Sequence, residues 1–370
     1  MDIFKFSTPH PGSLFLNNGE YVRGIKTVMW VDRYRDPGEV TITANVDSGI
    51  IDFLPIGTLI SHTNSDEVMI IENHEVSDAH GGDLEVTITG RSLETILEQR
   101  VVGTNQTFPA GAPGKIVLPA DYSWIQAVKL IKSHIDASLL IDTNDALNGI
   151  VTFDYVWNTP NPIVEEKELR LGELYSNVID ILKGDDLGIA VVRPFEPGQT
   201  TTSFVIHDGT DLTKDVVFSF DAGDITNADY LWSNKSDKNT IYVISTWSQI
   251  MVKSNAGYKR RVTILDASEL DKDYQEVPPD WALAAYRIQM KNLGELELKK
   301  RNPLALSKAQ AAINSKKYVY RNDFKVGDIV TIDGMFNESA TMRVVEYVEV
   351  LDENGVTGYP TLSTWPTEVT

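Results

Sequence analysis

Alternating apolar and polar positions predict strands over residues 25–31 and 39–44, on either side of the turn signal Asp36-Pro37-Gly38. Residues 54–60 form an apolar run broken by Gly57, residues 67–76 a long strand, and residues 84–89 a short one after Gly81-Gly82. The same order recurs near the C-terminus. Residues 326–331 contain Gly327, residues 342–350 form a long strand, and a turn with Gly355 leads to a short strand at 359–362. The long strands carry Glu72 and Glu75 in one place, Glu346 and Glu349 in the other. Two occurrences of one β-unit at opposite ends of a chain point to duplication. They predict two related β-barrel-like domains.

Between the two units the period changes. Leu93, Ile96, Leu97 and Val101 share a helical face behind a Ser92 cap, which predicts a helix closing the first barrel. After a loop over 103–119, rich in proline and glycine, helices are predicted over 123–138 and 169–183, the second ending at Gly184. Strands are expected at 150–156, 187–193, 203–207 and 216–220. Further strands at 240–246 and 260–265 flank the Asn255-Ala256-Gly257 turn. The longest helix is predicted at 281–300, after Pro278-Pro279, with Ala282, Ala285, Ile288, Gln289 and Leu293 on its inner face and Gly294 as a potential break. Residues 307–313 read equally well as helix or strand. The fold class is mainly β with an α+β insert. The domain reading is a first β-barrel with its closing helix over 1–104, an α+β middle domain over 105–235, and a second β-barrel with the long helix over 236–370.

Charge narrows the function. Fifty-three acidic residues against 33 lysines and arginines give a net charge of −20. Such a chain does not neutralise phosphates, so specific nucleic-acid binding is excluded as an expectation. There is no cysteine, hence no disulfide and no thiolate metal site or nucleophile. No signal peptide is visible at the start, and no run reaches the roughly 20 apolar residues of a membrane span. Stable membrane insertion is not expected, and synthesis is expected in the cytoplasm.

Candidate chemistry is sparse. His74 and His80, near Glu72, Asp78 and Asp83, are the best metal candidates, but they straddle a glycine turn where polar residues belong anyway. Asp142-Thr143-Asn144-Asp145 before Gly149 resembles a calcium loop, yet Phe153 stands where its last glutamate should be. Gly90-Arg91-Ser92-Leu93-Glu94 is better read as a helix start than as a nucleophile elbow. Glu67, Glu72, Glu75, Glu346 and Glu349 read as outward charges that blunt strand edges rather than as catalytic carboxylates. Trp30, Tyr34, Trp232, Trp247 and Trp365 suit cores and interfaces better than a sugar site. No catalytic, cofactor-binding or metal-ligating residue is assigned, and no cofactor is expected.

The order of apolar positions and glycines nevertheless resembles a known family. Residues 25–30 with Arg33-Tyr34, Gly38-Glu39-Val40-Thr41-Ile42, Ile70-Ile71-Glu72 and Val86-Thr87-Ile88-Thr89-Gly90-Arg91-Ser92-Leu93 carry it at one end. Ser236-Asp237-Lys238-Asn239-Thr240-Ile241-Tyr242-Val243, Phe324-Lys325-Val326-Gly327-Asp328-Ile329-Val330, Arg343-Val344-Val345-Glu346-Tyr347 and Tyr359-Pro360-Thr361-Leu362 carry it at the other. The pattern is similar to the tail-tip, or baseplate hub, proteins of siphophages. That resemblance implies a homotrimer with two barrels per protomer, in which six barrels match a sixfold tail tube. It implies as neighbours the distal tail protein and tail tube above and the tip or receptor-binding proteins below, in a virion structural protein without enzymatic activity. The competing readings are a carbohydrate-active enzyme (a depolymerase) and a glycan- or receptor-binding module, each built on β-domains.

Overall fold

The chain folds as two compact units, Met1–Asn227 with Lys308–Thr370, and Ala228–Ser307. The computed structural model describes residues 1–7, 16–79, 83–103, 116–136, 139–140, 150–156, 163–164, 167–169, 172–193, 201–230, 238–253, 260–268, 270, 280–300, 306–311, 317–333 and 339–364.

The predicted duplication is realised in a 13-stranded sheet. In the first copy, the spatial order is Ile25–Arg33, Glu39–Asn45, Asp83–Ser92, Met69–Ala79, Leu59–His62. In the second, it is Ile225–Tyr230, Leu306–Ala311, Gly355–Thr364, Ser339–Asp352, Ile329–Asp333. Each copy therefore has the same connectivity. Of the ambiguous segment at 307–313, the described part lies in the strand Leu306–Ala311, which fills the place that Glu39–Asn45 holds in the first copy.

The match extends to single hydrogen bonds. Gly57 N–H donates to the Ile71 carbonyl at 2.7 Å, and Ile71 N–H donates to Thr58 at 2.9 Å. Gly327 N–H donates to Val344 at 2.7 Å, and Val344 N–H donates to Asp328 at 2.9 Å. One residue later each long strand is bulged, between Ile71 and Asn73 and between Val344 and Glu346. The two glycines were expected inside strands. They lie instead in the turns before them, at φ +86° and +98°, where an L-residue is strained.

The domain boundaries expected from the sequence differ from the observed division. The final β-unit is no separate domain, since Ser339–Asp352 is hydrogen-bonded to Ile25–Arg33 from Glu346↔Arg33 to Leu351↔Val28. The α+β segment is not independent either. Helices Ser123–Ile135 and Leu174–Leu182, with strands Gly188–Val192 and Thr202–His207, share one apolar cluster with Leu16, Leu59, Val68, Leu93 and Leu97. Apolar burial at about 25 cal/mol per Å² does not favour cutting a chain where its core is continuous. A second cluster surrounds Trp30 between the strands of the first copy, with Val28, Val40, Ile42, Ile71, Val86 and Ile88.

Local details correct the helix readings. Residues Leu93–Leu97 form a buried 3₁₀ turn rather than an α-helix, and the Ser92 hydroxyl caps nothing. It accepts from Gly38 N–H at 2.7 Å and donates to Glu94 Oε1 at 2.5 Å, so this short segment is tied sideways to the sheet. Helix Leu174–Leu182 starts later than expected, because Lys167–Leu169 and Gly172–Glu173 are strands. Its left-handed exit is Asp186, at φ 58°, not Gly184.

In the smaller unit, Thr240–Ile244 pairs antiparallel with Gln249–Lys253 and parallel with Val262–Asp266. Helix Asp280–Lys300 buries Tyr286, Met290 and Leu298 against these strands, one position round from the predicted face, leaving Ile288 and Leu293 exposed. Gly294 does not break the helix. It lies on the buried stripe, where a Cβ would come within 2.7 Å of Val252 and 2.8 Å of Val243.

Candidate assembly junction

The strand junction between the two copies is flanked by two buried polar networks. The first centres on Asp32, which the pairing of Ile25–Arg33 turns inward at 2 % exposure. Its Oδ1 accepts from Trp30 Nε1 at 2.7 Å, and its Oδ2 accepts from Tyr320 Oη at 2.8 Å and Arg321 Nη2 at 2.7 Å. Arg321 Nη1 donates to Glu349 Oε2 at 2.9 Å, and Nη2 lies 3.2 Å from His62 Nε2. Arg321 takes the left-handed conformation, φ 67°, uncommon for a residue with a side chain. The two carboxylates and the stacked Tyr320 and Tyr347 rings, 3.7 Å apart, hold it there. First copy, second copy and the segment 320–321 are thereby locked together.

The second network centres on Arg343, 2 % exposed. Nη2 donates to Asp186 Oδ2 at 2.7 Å, and Nη1 donates to the carbonyls of Asp208, at 2.8 Å, and Gly327. Asp186 also pairs with Arg35. The Arg343 guanidinium lies 4.6 Å from the centre of the Tyr34 ring, whose hydroxyl sits between the carbonyls of Asp186, at 2.6 Å, and His207, at 3.1 Å. This network joins the first copy, the α+β layer and the second copy.

Burial dominates the electrostatics here. It holds His62 neutral with a pKa of about 2, with Arg321 adding to the effect, and His207 at about 4 beside Arg343. It raises Glu94 to about 7 and Glu67 well above the carboxylate range, with Asp32 pushing Glu67 further. Glu349 is raised by burial despite Arg321, and Arg321 itself stays charged. In both networks these groups tie strands to one another through ion pairs and hydrogen bonds.

The candidate residues from the sequence fall differently from expectation. Glu349 and Glu67 are not outward edge charges. Glu346 ties to Arg33 at 2.8 Å and Glu72 to Arg91 at 2.7 Å, while Glu75 is exposed as expected. Trp30 and Tyr34 are core residues, and Trp247 packs against the smaller unit's core. His74 reaches the Leu54 carbonyl at 2.8 Å. His10, His80, Asp142, Thr143, Asn144, Asp145, Gly149, Trp232 and Trp365 lie outside the described residues. Among the described residues no group of three or more acidic or histidine side chains is placed to hold a metal, and no helix is long and apolar enough to cross a membrane. Sequence reasoning missed Asp32, Arg321 and Arg343. Only Asp32, a charge inside an apolar strand, gave a signal.

Solved structures share this fold. The chain is similar to a tail protein of Neisseria meningitidis MC58, with 12 % identity and a TM-score of 0.54 over 98 % of this chain and 96 % of that one. It is similar to the 43 kDa tail protein of prophage MuSo2 from Shewanella oneidensis, with 9 % identity and a TM-score of 0.58 over 98 % and 97 %. Prophage tail protein gp18 of Listeria monocytogenes EGD-e gives 12 % identity and a TM-score of 0.52 over 100 % and 96 %. No curated protein sequence matches. A family profile described as siphovirus ReqiPepy6 Gp37-like protein matches residues 16–361.

Proposed function

The chain belongs to the siphovirus ReqiPepy6 Gp37-like family, and from that premise we propose that this phage tail protein is the baseplate hub of the tail tip. In this reading it acts as a homotrimer, joining the tail tube and distal tail ring to the tip or receptor-binding apparatus. It is a virion structural protein without catalytic activity, and each duplicated unit closes as a barrel-like module. The observation that carries the reading is the duplication. Two like β-units per chain, joined edge to edge, allow three chains to present six equivalent modules to a sixfold tube.

The polar networks support a structural rather than a chemical role. Their charged groups sit at the seam between copies and face one another, so they fix the angle at which one unit meets the next. The acidic excess suits a ring whose wall repels phosphate as a genome passes. Light scattering or native mass spectrometry on the purified chain tests the proposal. The expected mass is three times 41.2 kDa, and gold-labelled antibody should mark the tail tip of intact particles. A species of one or two chains under all conditions, or label confined to the head or the tail shaft, overturns it. Release of fragments from host polysaccharide, lost on substitution of one carboxylate, would overturn the non-enzymatic part.

A further inference from the structure

The two copies are not equally covered. Ser339–Asp352 is paired on both edges along Glu346–Leu351, with Gly355–Thr364 on one side and Val28–Arg33 on the other. Because Ile71 and Val344 occupy the same place at the bulge, the first-copy counterpart of Glu346–Leu351 is Asn73–Asp78. Asp83–Ser92 covers one edge of that segment, from Asn73↔Thr89 to Asp78↔Leu84. Among the described strands, none covers the other edge. The side chains record the difference. Glu349 and Val348 are each 7 % exposed, whereas Val76, which stands where Glu349 does, is 51 % exposed.

A complementary edge exists in the same chain. Ile25–Arg33, which receives the second copy, corresponds in the second copy to Ile225–Tyr230. That strand ends the sheet, with Leu306–Ala311 as its one partner among the described strands. It is six residues long, equal to the six pairs of the internal junction. Among the described strands, each chain thus carries an open edge on both halves of a junction it closes once internally. Unpaired edges are sites where another chain adds, and charge is one way of blunting them. Glu75 and Asp78 are exposed on this edge, yet the internal junction forms although its own segment carries Glu346 and Glu349.

We propose that Asn73–Asp78 pairs antiparallel with Ile225–Tyr230 of a second copy, repeating between chains the junction that Glu346–Leu351 and Val28–Arg33 make within one. The interface is heterologous, first copy to second copy. Such an interface closes into a ring when the rotation permits and otherwise runs on as a filament. Backbone hydrogen bonds set its register and direction, and Val76 is the apolar side chain it covers. This deepens the hub reading and rests on it, because it names the surfaces by which the chains of the ring meet.

Cysteine cross-linking tests the pairing cleanly, since the chain has no cysteine of its own. Val76→Cys is combined in turn with Ile225→Cys, Thr226→Cys, Asn227→Cys and Ala228→Cys. A disulfide needs Cα atoms within about 7 Å, so only directly opposed positions link. The expected result is a ladder of linked chains, ending at a closed ring, for one or two of these combinations and for none of the five single variants. Hydrogen exchange on the unmodified protein is the second readout. Alternate amides of residues 73–78 should be protected in the assembled form and exchange freely on dilution to single chains. An assembly of defined mass with no cross-link at any combination and no protection at 73–78 overturns the edge pairing and leaves the hub reading standing. A cross-linked ring of some number other than three sustains the pairing and overturns the trimer. A chain that stays single at every concentration overturns both.

Discussion

The duplicated glycine turns permit an internally controlled experiment. Gly57 and Gly327 hold the same place in the two copies, make the same hydrogen bonds, and have similar positive φ values of 86° and 98°. Substituting alanine at either imposes the same backbone strain, about 1–2 kcal/mol. Their surroundings differ. A Cβ at position 57 meets nothing within 4 Å, whereas at 327 it lies 2.8 Å from Tyr34 Cε2 and 2.9 Å from His207 Cε1. Tyr34 cannot swing away without leaving the carbonyls of Asp186 and His207 and the Arg343 guanidinium. Overpacking a fixed core adds about 1–3 kcal/mol. Gly57→Ala should therefore cost about 1–2 kcal/mol and Gly327→Ala about 2–5 kcal/mol. Hydrogen exchange reads the two sites separately, at the Ile71 amide for the first copy and the Val344 amide for the second. Thermal melting of the larger unit gives the overall loss. If Gly57→Ala lowers stability as much as Gly327→Ala, or more, then the packing of the α+β layer onto the second copy is not what makes position 327 intolerant.

Two further predictions concern the buried charges. Arg321→Met should destabilise the larger unit by about 3–5 kcal/mol, since Asp32 and Glu349 lose their shared cation while remaining buried. Denaturant titration should also show the deficit shrinking at acid pH, where Glu349, already raised by burial, takes up a proton once Arg321 is gone, and a deficit unchanged with pH would refute this account. Glu94, raised by burial from the ordinary carboxyl value of 4.5 to about 7, works in the opposite sense to a salt-bridged acid. The folded state holds its proton more tightly than the unfolded state, so its favourable contribution is complete below pH 4.5 and is lost as pH rises to about 7. Glu94→Gln should flatten the fall in melting temperature across that window. An unchanged slope would place the titration elsewhere.

Much of this architecture is legible in the sequence because it depends on local patterns. Period-two alternation marks the strands, and the recurrence of glycine turn, long strand and short strand marks the duplication. The positions that failed are those where distant contacts override local preference. Ser92 looks like a cap, but Gly38 and Glu94 claim its hydroxyl. Gly294 looks like a helix break, but Val243 and Val252 require a residue without a side chain there. The domain reading erred at both boundaries. An apolar cluster shared between Leu59 and Leu182, or a ladder joining Val28 to Leu351, leaves no mark in either segment taken alone. The polar locks were invisible for the same reason. Asp186 and Arg343 are far apart in the chain, and their ion pair has no periodicity to betray it.

Where the first copy turns in a few residues around Asp36-Pro37-Gly38, the second departs along Ile225–Tyr230, builds the whole of Ala228–Ser307, and returns along Leu306–Ala311. Those two strands are neighbours in the sheet, so the excursion begins and ends at adjacent points. Closing such a gap costs only slightly more as the inserted segment lengthens, about 0.6 kcal/mol per doubling. A segment inserted at this hairpin end can therefore grow, shrink or be exchanged while the register of the surrounding strands stays fixed. In the proposed ring, an insert at this point would vary without altering the pairing of the strands around it.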